Sequence, residues 1–473
     1  MENTRELILD MLMEILEKGV YSHLVIRDVL DKYDYMDSRD KAFIKRVTEG
    51  TIERLIEIDY YLDQFSKVSV SKMKPLIRNL MRMSVYQILY MDSIPDSAVC
   101  NEAVKLAGKR GYRGLAGFVN GVLRNLARNK NRLTPGEKDS LSREDKKYQY
   151  LSIKYSMPQW LIGLWMVTYG EEITYFILKG LLEPKPLTLR LKESLPREKK
   201  EKWLRALTEA SVKVQEHPYL PYAYRIWNGE GVRNLPGYRE GWFAVQDVSS
   251  MLVAEACGFG ELLKESPKEG AAGSPRLLVL DVCACPGGKS MHAAEKLSDR
   301  GKIISRDISE YKVSQMRDNI ERMGYTNIDL QVHDAAAGDE SLIEKADVVL
   351  ADLPCSGLGV IGKKRDIKYR ITRQELKALE ELQRKLLDVV WRYVKPGGIM
   401  VYSTCTMNPG ENEEMVEWFV QNYPFERQTL TPYLPDALKE EGRSGMLQLF
   451  PGYHMTDGFF IARLRRKPLA GVR

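Results

Sequence analysis

From residue 1 to about 130 the apolar positions recur at helical spacing, in pairs such as Leu7/Ile8, Met11/Leu12 and Ile15/Leu16 and again at Phe43/Ile44, Val47, Ile52 and Leu55/Ile56. Residues three and four apart share one face of a helix, so each run predicts an amphipathic helix with a buried stripe. Further helices are predicted at Asp59-Tyr60-Tyr61-Leu62, over 71–89 and over 94–107, where Pro95 followed by Asp96 and Ser97 marks a helix start. No strand-like alternation interrupts the pattern, and an all-α domain is predicted for residues 1–130.

Residues 129–145 are polar, with Thr134-Pro135-Gly136 at their centre, and predict a linker over 131–150. Beyond it, Pro158-Gln159-Trp160-Leu161 opens an aromatic helical stretch, residues 186–191 alternate like a strand, 201–210 read as helix and 211–214 begin another strand. A small α+β module over 151–235 is predicted. After 236 the pattern changes to short apolar runs separated by helices: 277–280, 302–305, 328–332, 347–350, 398–402 and 459–462 are strand candidates. The near-continuous apolarity of the central runs predicts a parallel sheet covered on both faces. Residues 261–275, rich in Gly, Ser, Pro and Lys, read as a surface loop before the first of these strands.

A chain of 473 residues exceeds what one core usually serves, which agrees with two or three domains. Hydrophobic content of 44% with 29% charged residues is that of a globular protein. The net charge of +6 permits a polyanionic partner without requiring one. Cys100, Cys257, Cys283, Cys285, Cys355 and Cys405 are too few and too unevenly spaced for a disulfide scaffold. The first residues mix acids with apolar side chains and lack a secretory pattern, and no apolar run approaches the roughly 20 residues a spanning helix needs. A cytoplasmic location and free thiols are therefore expected, with no membrane partner.

The chemistry gathers at the ends of the predicted strands. An open α/β sheet binds its ligand beyond the carboxyl ends of its strands, near the switch point. Asp281-Val282-Cys283-Ala284-Cys285-Pro286-Gly287-Gly288-Lys289 follows the first strand, and its Pro-Gly-Gly allows a tight turn with close backbone approach to a ligand. Asp307 ends the second strand, where a carboxylate can accept from both hydroxyls of a ribose; Asp334, after the third, could hold an adenine amino group. The loop also resembles a phosphate-binding P-loop, but Cys283 stands where that loop needs its first glycine.

Asp352-Leu353-Pro354-Cys355-Ser356-Gly357 and Tyr402-Ser403-Thr404-Cys405-Thr406 place two thiols in loops that would open onto the same crevice. Isolated cysteines are more often small buried hydrophobes, which suits Cys100 and Cys257 but not these two. A four-cysteine zinc site with Cys283 and Cys285 lacks the usual two-residue gap, and no metal is expected. Lys363, Lys364, Arg365, Lys368, Tyr369 and Arg370, with Arg373 close behind, adjoin the first thiol and read as an RNA-contacting run with a tyrosine able to stack on a base. Lys105, Lys109, Arg110, Arg113, Arg124 and Arg128 form a second basic stretch, for which RNA and plain solvent are equally good readings.

These motifs resemble the RNA cytosine-5 methyltransferases of the NOL/NOP2/Sun superfamily, and the whole chain resembles the bacterial RsmB/Sun type. The likeness covers residues 150–465, including the stretch 241–250, the loop at Cys283, both cysteine motifs, Glu411-Asn412-Glu413 and Asp457-Gly458-Phe459-Phe460. The helical domain, with Arg39-Asp40-Lys41-Ala42-Phe43 and Phe118-Val119-Asn120-Gly121-Val122-Leu123-Arg124, resembles the NusB-type RNA-binding fold. The resemblance implies an α/β Rossmann-like methyltransferase domain with a mixed seven-stranded sheet, a NusB-like N-terminal domain and an RRM-like module between them. It implies S-adenosylmethionine as methyl donor, held by Cys283, Ala284, Cys285, Pro286, Gly287, Gly288, Lys289, Asp307, Asp334 and Asp352. Cys405 matches the nucleophile and Cys355 the residue that assists release.

The substrate so implied is 16S rRNA before full subunit assembly, at cytosine 967, acted on by a monomer. The sequence departs from the family pattern at Cys285 (usually Ala), Ser290 (commonly Thr) and His333 (often Gly), which bears on cofactor affinity rather than reaction type. Rival readings are the same chemistry on another rRNA or tRNA cytosine, and a non-catalytic RNA-binding or antitermination factor built on the helical domain.

Overall fold

In the computed structural model, which describes residues 3–135, 143–227, 231–265 and 277–468, the N-terminal stripes form the helices Thr4–Leu16, Ser22–Lys32, Ser38–Glu53, Leu55–Phe65, Pro75–Tyr90, Asp96–Lys109 and Ala116–Asn129. Their apolar faces close on one core in which Leu12, Ile44, Val47, Leu62, Leu80 and Leu123 are fully buried. The helix starts follow local chemistry. Asp37 accepts from the Asp40 amide at 2.8 Å, one of the donors that a first helical turn leaves open, and Pro75 supplies a pre-set φ at another start.

The helices Arg143–Tyr155 and Gln159–Leu182, the latter broken at Gly170 (φ 80°), belong by contact to this helical unit, which comprises Met1–Leu182 and Ile361–Arg370. The boundary expected near residue 150 therefore moves to Leu182. One reason is Ser156, whose hydroxyl accepts from the Ile56 amide at 2.9 Å and ties the added helices to the bundle. Of the expected linker, 136–142 lie outside the described residues, and helix begins again at Arg143.

The second unit comprises Glu183–Val360 and Ile371–Arg473. It opens with a small antiparallel sheet of β1 (Leu187–Leu191), β2 (Lys213–Glu216), β3 (Ala223–Trp227) and β4 (Phe243–Val245), in the order β2-β3-β1-β4. Helix Arg197–Glu209 packs on it through the fully buried Trp203 and Leu207. β4 lies beyond residue 235, so the module extends further than its expected end.

The main sheet contains β5 (Leu277–Asp281), β6 (Gly301–Asp307), β7 (Ile328–Val332), β8 (Ala346–Asp352), β9 (Val394–Thr404), β10 (Phe425–Arg427), β11 (Met446–Leu449) and β12 (Phe459–Arg466). Its order is β10-β12-β9-β8-β5-β6-β7, with β11 paired to β12 off this path. β5 to β9 pair in parallel, whereas β12 runs antiparallel to β9, which makes the sheet mixed. Successive residues of the central strands serve different cores: Val348, Leu350 and Val401 face one, Val349, Ala351 and Met400 the other. This double burial is why these strands read as unbroken apolar runs. The expected loop at 261–275 is corrected at its start, where helix Phe259–Glu265 is found; 266–276 lie outside the described residues.

Candidate active site

The chain builds β5, β6 and β7 to one side and then returns to place β8 on the other flank of β5. That reversal opens a crevice beyond the carboxyl ends, where Asp281, Asp307, Asp352 and Thr404 end β5, β6, β8 and β9. A cavity of about 400 Å³ occupies it, walled by Cys283, Cys285, Asp307, Asp334, Asp352, Cys355 and Cys405 among others. Its size suits one nucleoside-sized ligand.

The loop after β5 is shaped by a cis Cys285–Pro286 peptide and by Gly287 at φ 93°, a conformation that a side chain would strain. Ala284, Pro286, Gly287 and Gly288 thus build the turn, while Cys283 and Cys285 line the cavity. Asp307 anchors the loop, its Oδ2 accepting from the Cys285 amide at 3.0 Å while Lys312 lies 2.9 Å from Oδ1. Asp334 is exposed and accepts from the Ala336 amide at 2.9 Å.

Asp281 was not singled out for a role by its position in the motif, yet it is fully buried and uses only one oxygen. Oδ2 accepts from Ser290 Oγ at 2.6 Å, whereas Oδ1 has no hydrogen-bond partner. Burial is the main reason its carboxyl is pushed up to about 7. Asp281 lies one residue before Val282, which walls the cavity, and a carboxylate set behind that wall favours a cationic ligand group such as S-adenosylmethionine carries. Asp307, Asp334 and the 283–285 turn, which line the cavity, are the residues that would hold it.

The two thiols meet here. Cys355 Sγ and Cys405 Sγ are 3.3 Å apart. They do so because β8 and β9 are parallel neighbours, with Asp352 in register with Ser403, and each cysteine lies just past its strand end. Asp352 is held from two sides, accepting from Lys289 Nζ at 2.6 Å and from Ser403 Oγ at 2.7 Å. Burial alone would lower the Lys289 ammonium, but Asp352 outweighs it and holds the group above its ordinary value, with Cys405 adding to the effect.

Cys355 is pushed well up by its hydrogen bond to Cys405, by burial, and by the charges of Cys405, Glu411 and Asp352. Cys355 is thus held in its thiol form. Cys283 is also raised, first by burial and then by Asp281, Asp307 and Asp352, so it remains a thiol. Among the described residues, no group of three or more His, Cys, Asp or Glu side chains converges as a metal site.

The basic run is corrected in part. Arg365 pairs with Glu49 and Glu53 at 3.0 Å each, and Arg370 with Asp366 at 2.8 Å. Lys368 is 2% exposed and donates to the Glu53 carbonyl at 2.8 Å; burial lowers it to about 7. Tyr369 packs against the helical core, its hydroxyl 3.3 Å from Ser156 Oγ. A tyrosine that stacks on bases must present its face to solvent, so Arg365, Lys368, Tyr369 and Arg370 are a strap within the helical unit rather than an RNA path. Lys363 and Lys364 remain exposed. In the second basic stretch, Lys105 pairs with Glu102 and Arg110 with Asp10, as on a solvated face. No helix among the described residues is long and apolar enough to cross a membrane.

Residues 272–465 match the family model described as 16S rRNA methyltransferase RsmB/F, and residues 2–128 match the NusB family. The chain is 34% identical over 468 residues to a probable ribosomal RNA small subunit methyltransferase B of Bacillus subtilis, covering 98% of this chain and 99% of that protein. A protein of the same description from Synechocystis is 31% identical over 98% of this chain and 100% of its own length. Among solved structures, PH0851 has the same fold over 98% of this chain and 99% of its own, with a TM-score of 0.76 at 24% identity. A methyltransferase homologue from Pyrococcus horikoshii aligns over 69% of this chain and 100% of its own at a TM-score of 0.54 and 25% identity. With two relatives above 30% identity along nearly its whole length and both family models matched, the chain belongs to the RsmB/F family of 16S rRNA methyltransferases, which depend on S-adenosylmethionine.

Proposed function

We propose that this methyltransferase acts on C5 of a cytosine in 16S rRNA, at position 967, through a covalent bond between Cys405 Sγ and C6 of the base. The observation that carries the reading is the pair of sulfurs 3.3 Å apart beside the Lys289–Asp352 ion pair. C5 of cytosine is a poor nucleophile. The Cys405 thiolate, favoured by Lys289, adds to C6 while N3 takes a proton from water, and the ring becomes enamine-like with electron density at C5. Asp352, paired with Lys289, offers a carboxylate oxygen that accepts from the N3–H so formed. S-adenosylmethionine supplies an electrophilic methyl group on a positively charged sulfur.

The C5 proton must then leave, followed by the Cys405 sulfur. While Cys405 is ionised, its hydrogen bond and charge hold the proton on Cys355. Once Cys405 is bonded to C6 that charge is gone, and Cys355 ionises more readily when a base is needed. Cys355 then takes the C5 proton, directly or through a water. The C6–S bond breaks, its electron pair returns to the Cys405 sulfur, N3 gives its proton back to water, and the ring double bond is restored.

The proposed substrate state is rRNA before full subunit assembly, the enzyme a cytoplasmic monomer, and the RNA contacts retained from the basic run are Lys363 and Lys364. Cys405→Ala abolishes both methyl transfer and the protein–RNA adduct; Cys355→Ala accumulates the adduct on denaturing gels. Full activity in Cys405→Ala sinks the reading. Bisulfite mapping of 16S rRNA from a deletion strain tests the position, which is wrong if cytosine 967 keeps its methyl group.

A further inference from the structure

After β9 the chain turns at Pro409–Glu411, and the last residue of that turn, Glu411, and the one after it, Asn412, are both fully buried. Each is surrounded by groups from a different cysteine loop. Glu411 Oε2 accepts from the Ser356 amide at 2.8 Å and from Gln383 Nε2 at 3.1 Å; Oε1 accepts from Ser356 Oγ at 2.5 Å and from Asn408 Nδ2 at 3.1 Å. Gln383 Nε2 also donates to the Pro354 carbonyl at 2.9 Å. One carboxylate therefore grips both neighbours of Cys355, Ser356 directly and Pro354 through Gln383.

Asn412 does the same for the other loop. Its Oδ1 accepts from Thr404 Oγ1 at 2.5 Å, and its Nδ2 donates to the Thr406 carbonyl at 3.1 Å and to Gln448 Oε1 at 2.7 Å. Both neighbours of Cys405 are thereby held. The two loops are joined by Ser356 Oγ and Thr406 Oγ1, 2.6 Å apart. Since Glu411 accepts the Ser356 hydroxyl proton, Ser356 accepts from Thr406, and the chain of donors has one consistent direction.

We infer that the consecutive pair Glu411–Asn412 is a positioning device that sets the register of the two thiols, Glu411 through the Cys355 loop and Asn412 through the Cys405 loop. The inference rests on the division of labour proposed above for the cysteines. A buried carboxylate costs desolvation, which the four donors around it offset only in part, so that burial still holds the Glu411 carboxyl above its ordinary value; an amide there turns one accepting atom into a donor that faces donors. Reacting atoms misplaced by about 1 Å lose on the order of 100-fold in rate, so the loops need such anchors.

The two neighbours have separable effects. Glu411→Gln loosens the Cys355 loop while Asn412 still holds Cys405: the adduct forms, resolves slowly and accumulates, as in Cys355→Ala. Asn412→Asp turns the Nδ2 donor into an oxygen facing the Thr406 carbonyl and loosens Cys405, so adduct formation slows and nothing accumulates. The experiment uses the full chain, S-adenosylmethionine and a 16S rRNA transcript, with the protein–RNA adduct counted on denaturing gels and turnover by methyl transfer. Glu411→Gln is expected to lower turnover by about 10- to 100-fold while raising the adduct fraction, and Asn412→Asp to lower both.

S-adenosylmethionine affinity by calorimetry and the thermal midpoint separate positioning from unfolding. Should Glu411→Gln fail to fold, Ser356→Ala removes the hydroxyl link to Glu411 and Thr406 while leaving the amide, and gives a smaller accumulation of the same kind. Adduct in Cys355→Ala but in neither Glu411→Gln nor Ser356→Ala overturns the positioning role alone. No adduct in Cys355→Ala itself overturns the division of labour, and this inference with it.

Discussion

Asp281 shows how much one oxygen can decide. Ser290 satisfies its Oδ2, Oδ1 is left without a partner, and burial brings the carboxyl to about 7. A cationic group bound in the cavity walled by the next residue, Val282, stabilises the ionised form through space and gains less from the protonated one. S-adenosylmethionine affinity, measured by calorimetry between pH 6 and 8, is therefore expected to rise with pH and binding to release protons near neutrality. Asp281→Asn flattens that dependence and weakens binding; an unchanged pH profile in the variant would refute the role. The cysteines were legible because Pro, Ser and Thr flank them in loops. Asp281 was not, because its meaning depends on which oxygen Ser290 reaches and on what the fold leaves buried.

At the scale of elements, the strap Ile361–Arg370 is the clearest departure from the sequence reading. A run of Lys, Arg and Tyr looks like a nucleic-acid path, yet Glu49, Glu53 and Asp366 meet Arg365 and Arg370, and the helical core receives Tyr369. Lys368→Ala is expected to lower unfolding free energy by about 1–3 kcal/mol, since it leaves the Glu53 carbonyl without this donor. Chemical denaturation reads this directly. By contrast, replacing Lys363 and Lys364 by Gln should leave stability within about 0.5 kcal/mol and weaken RNA binding, with a salt dependence shallower by about 1 per lost phosphate contact. If Lys368→Ala instead changes RNA affinity with no loss of stability, the strap reading fails.

The same scale explains which strands were readable. β5, β8 and β9 are buried on both faces and stood out as apolar runs. β10 (Phe-Glu-Arg) and β11 (Met-Leu-Gln-Leu) are too short for a period to show, and they exist because β12 offers edges on which to pair.

For the molecule as a whole, His217, His292 and His454 are all buried in the second unit and all lowered from the ordinary value, in each case chiefly by burial. His292 is the extreme: neither ring nitrogen has a hydrogen-bond partner, Glu255 is 4.0 Å away, and Arg190 and Lys296 oppose its charging. Because the folded values lie below the unfolded one of about 6.5, the unfolded chain takes up protons first as pH falls. Stability is thus fully present above about 6.5 and is lost below it, by at most about 1.4 kcal/mol per pH unit for each histidine. Asp281, with its folded carboxyl at about 7, works in the opposite sense over this range, so the thermal midpoint between pH 7 and pH 5 should fall less steeply than the three histidines alone would make it. His292→Phe, whose ring can keep the edge-on packing that His292 makes against Tyr222 at 5.4 Å, should drop less. An equally steep fall in the variant would exclude His292 as a contributor.

The sequence by itself determined the helical N-terminal domain, the run of strands after 277, the turn that follows the first of them and the placement of two cysteines in loops at strand ends. Each rests on local information: the period of apolar residues, a Pro-Gly-Gly turn, a cysteine bracketed by loop formers. Only the tertiary structure decided that Cys355 and Cys405 stand 3.3 Å apart, that the helical unit runs to Leu182, that the basic run is a strap and that Asp281 keeps an open oxygen. Those facts depend on which strands become neighbours and which charges find partners across long stretches of chain, and spacing along the sequence does not carry that.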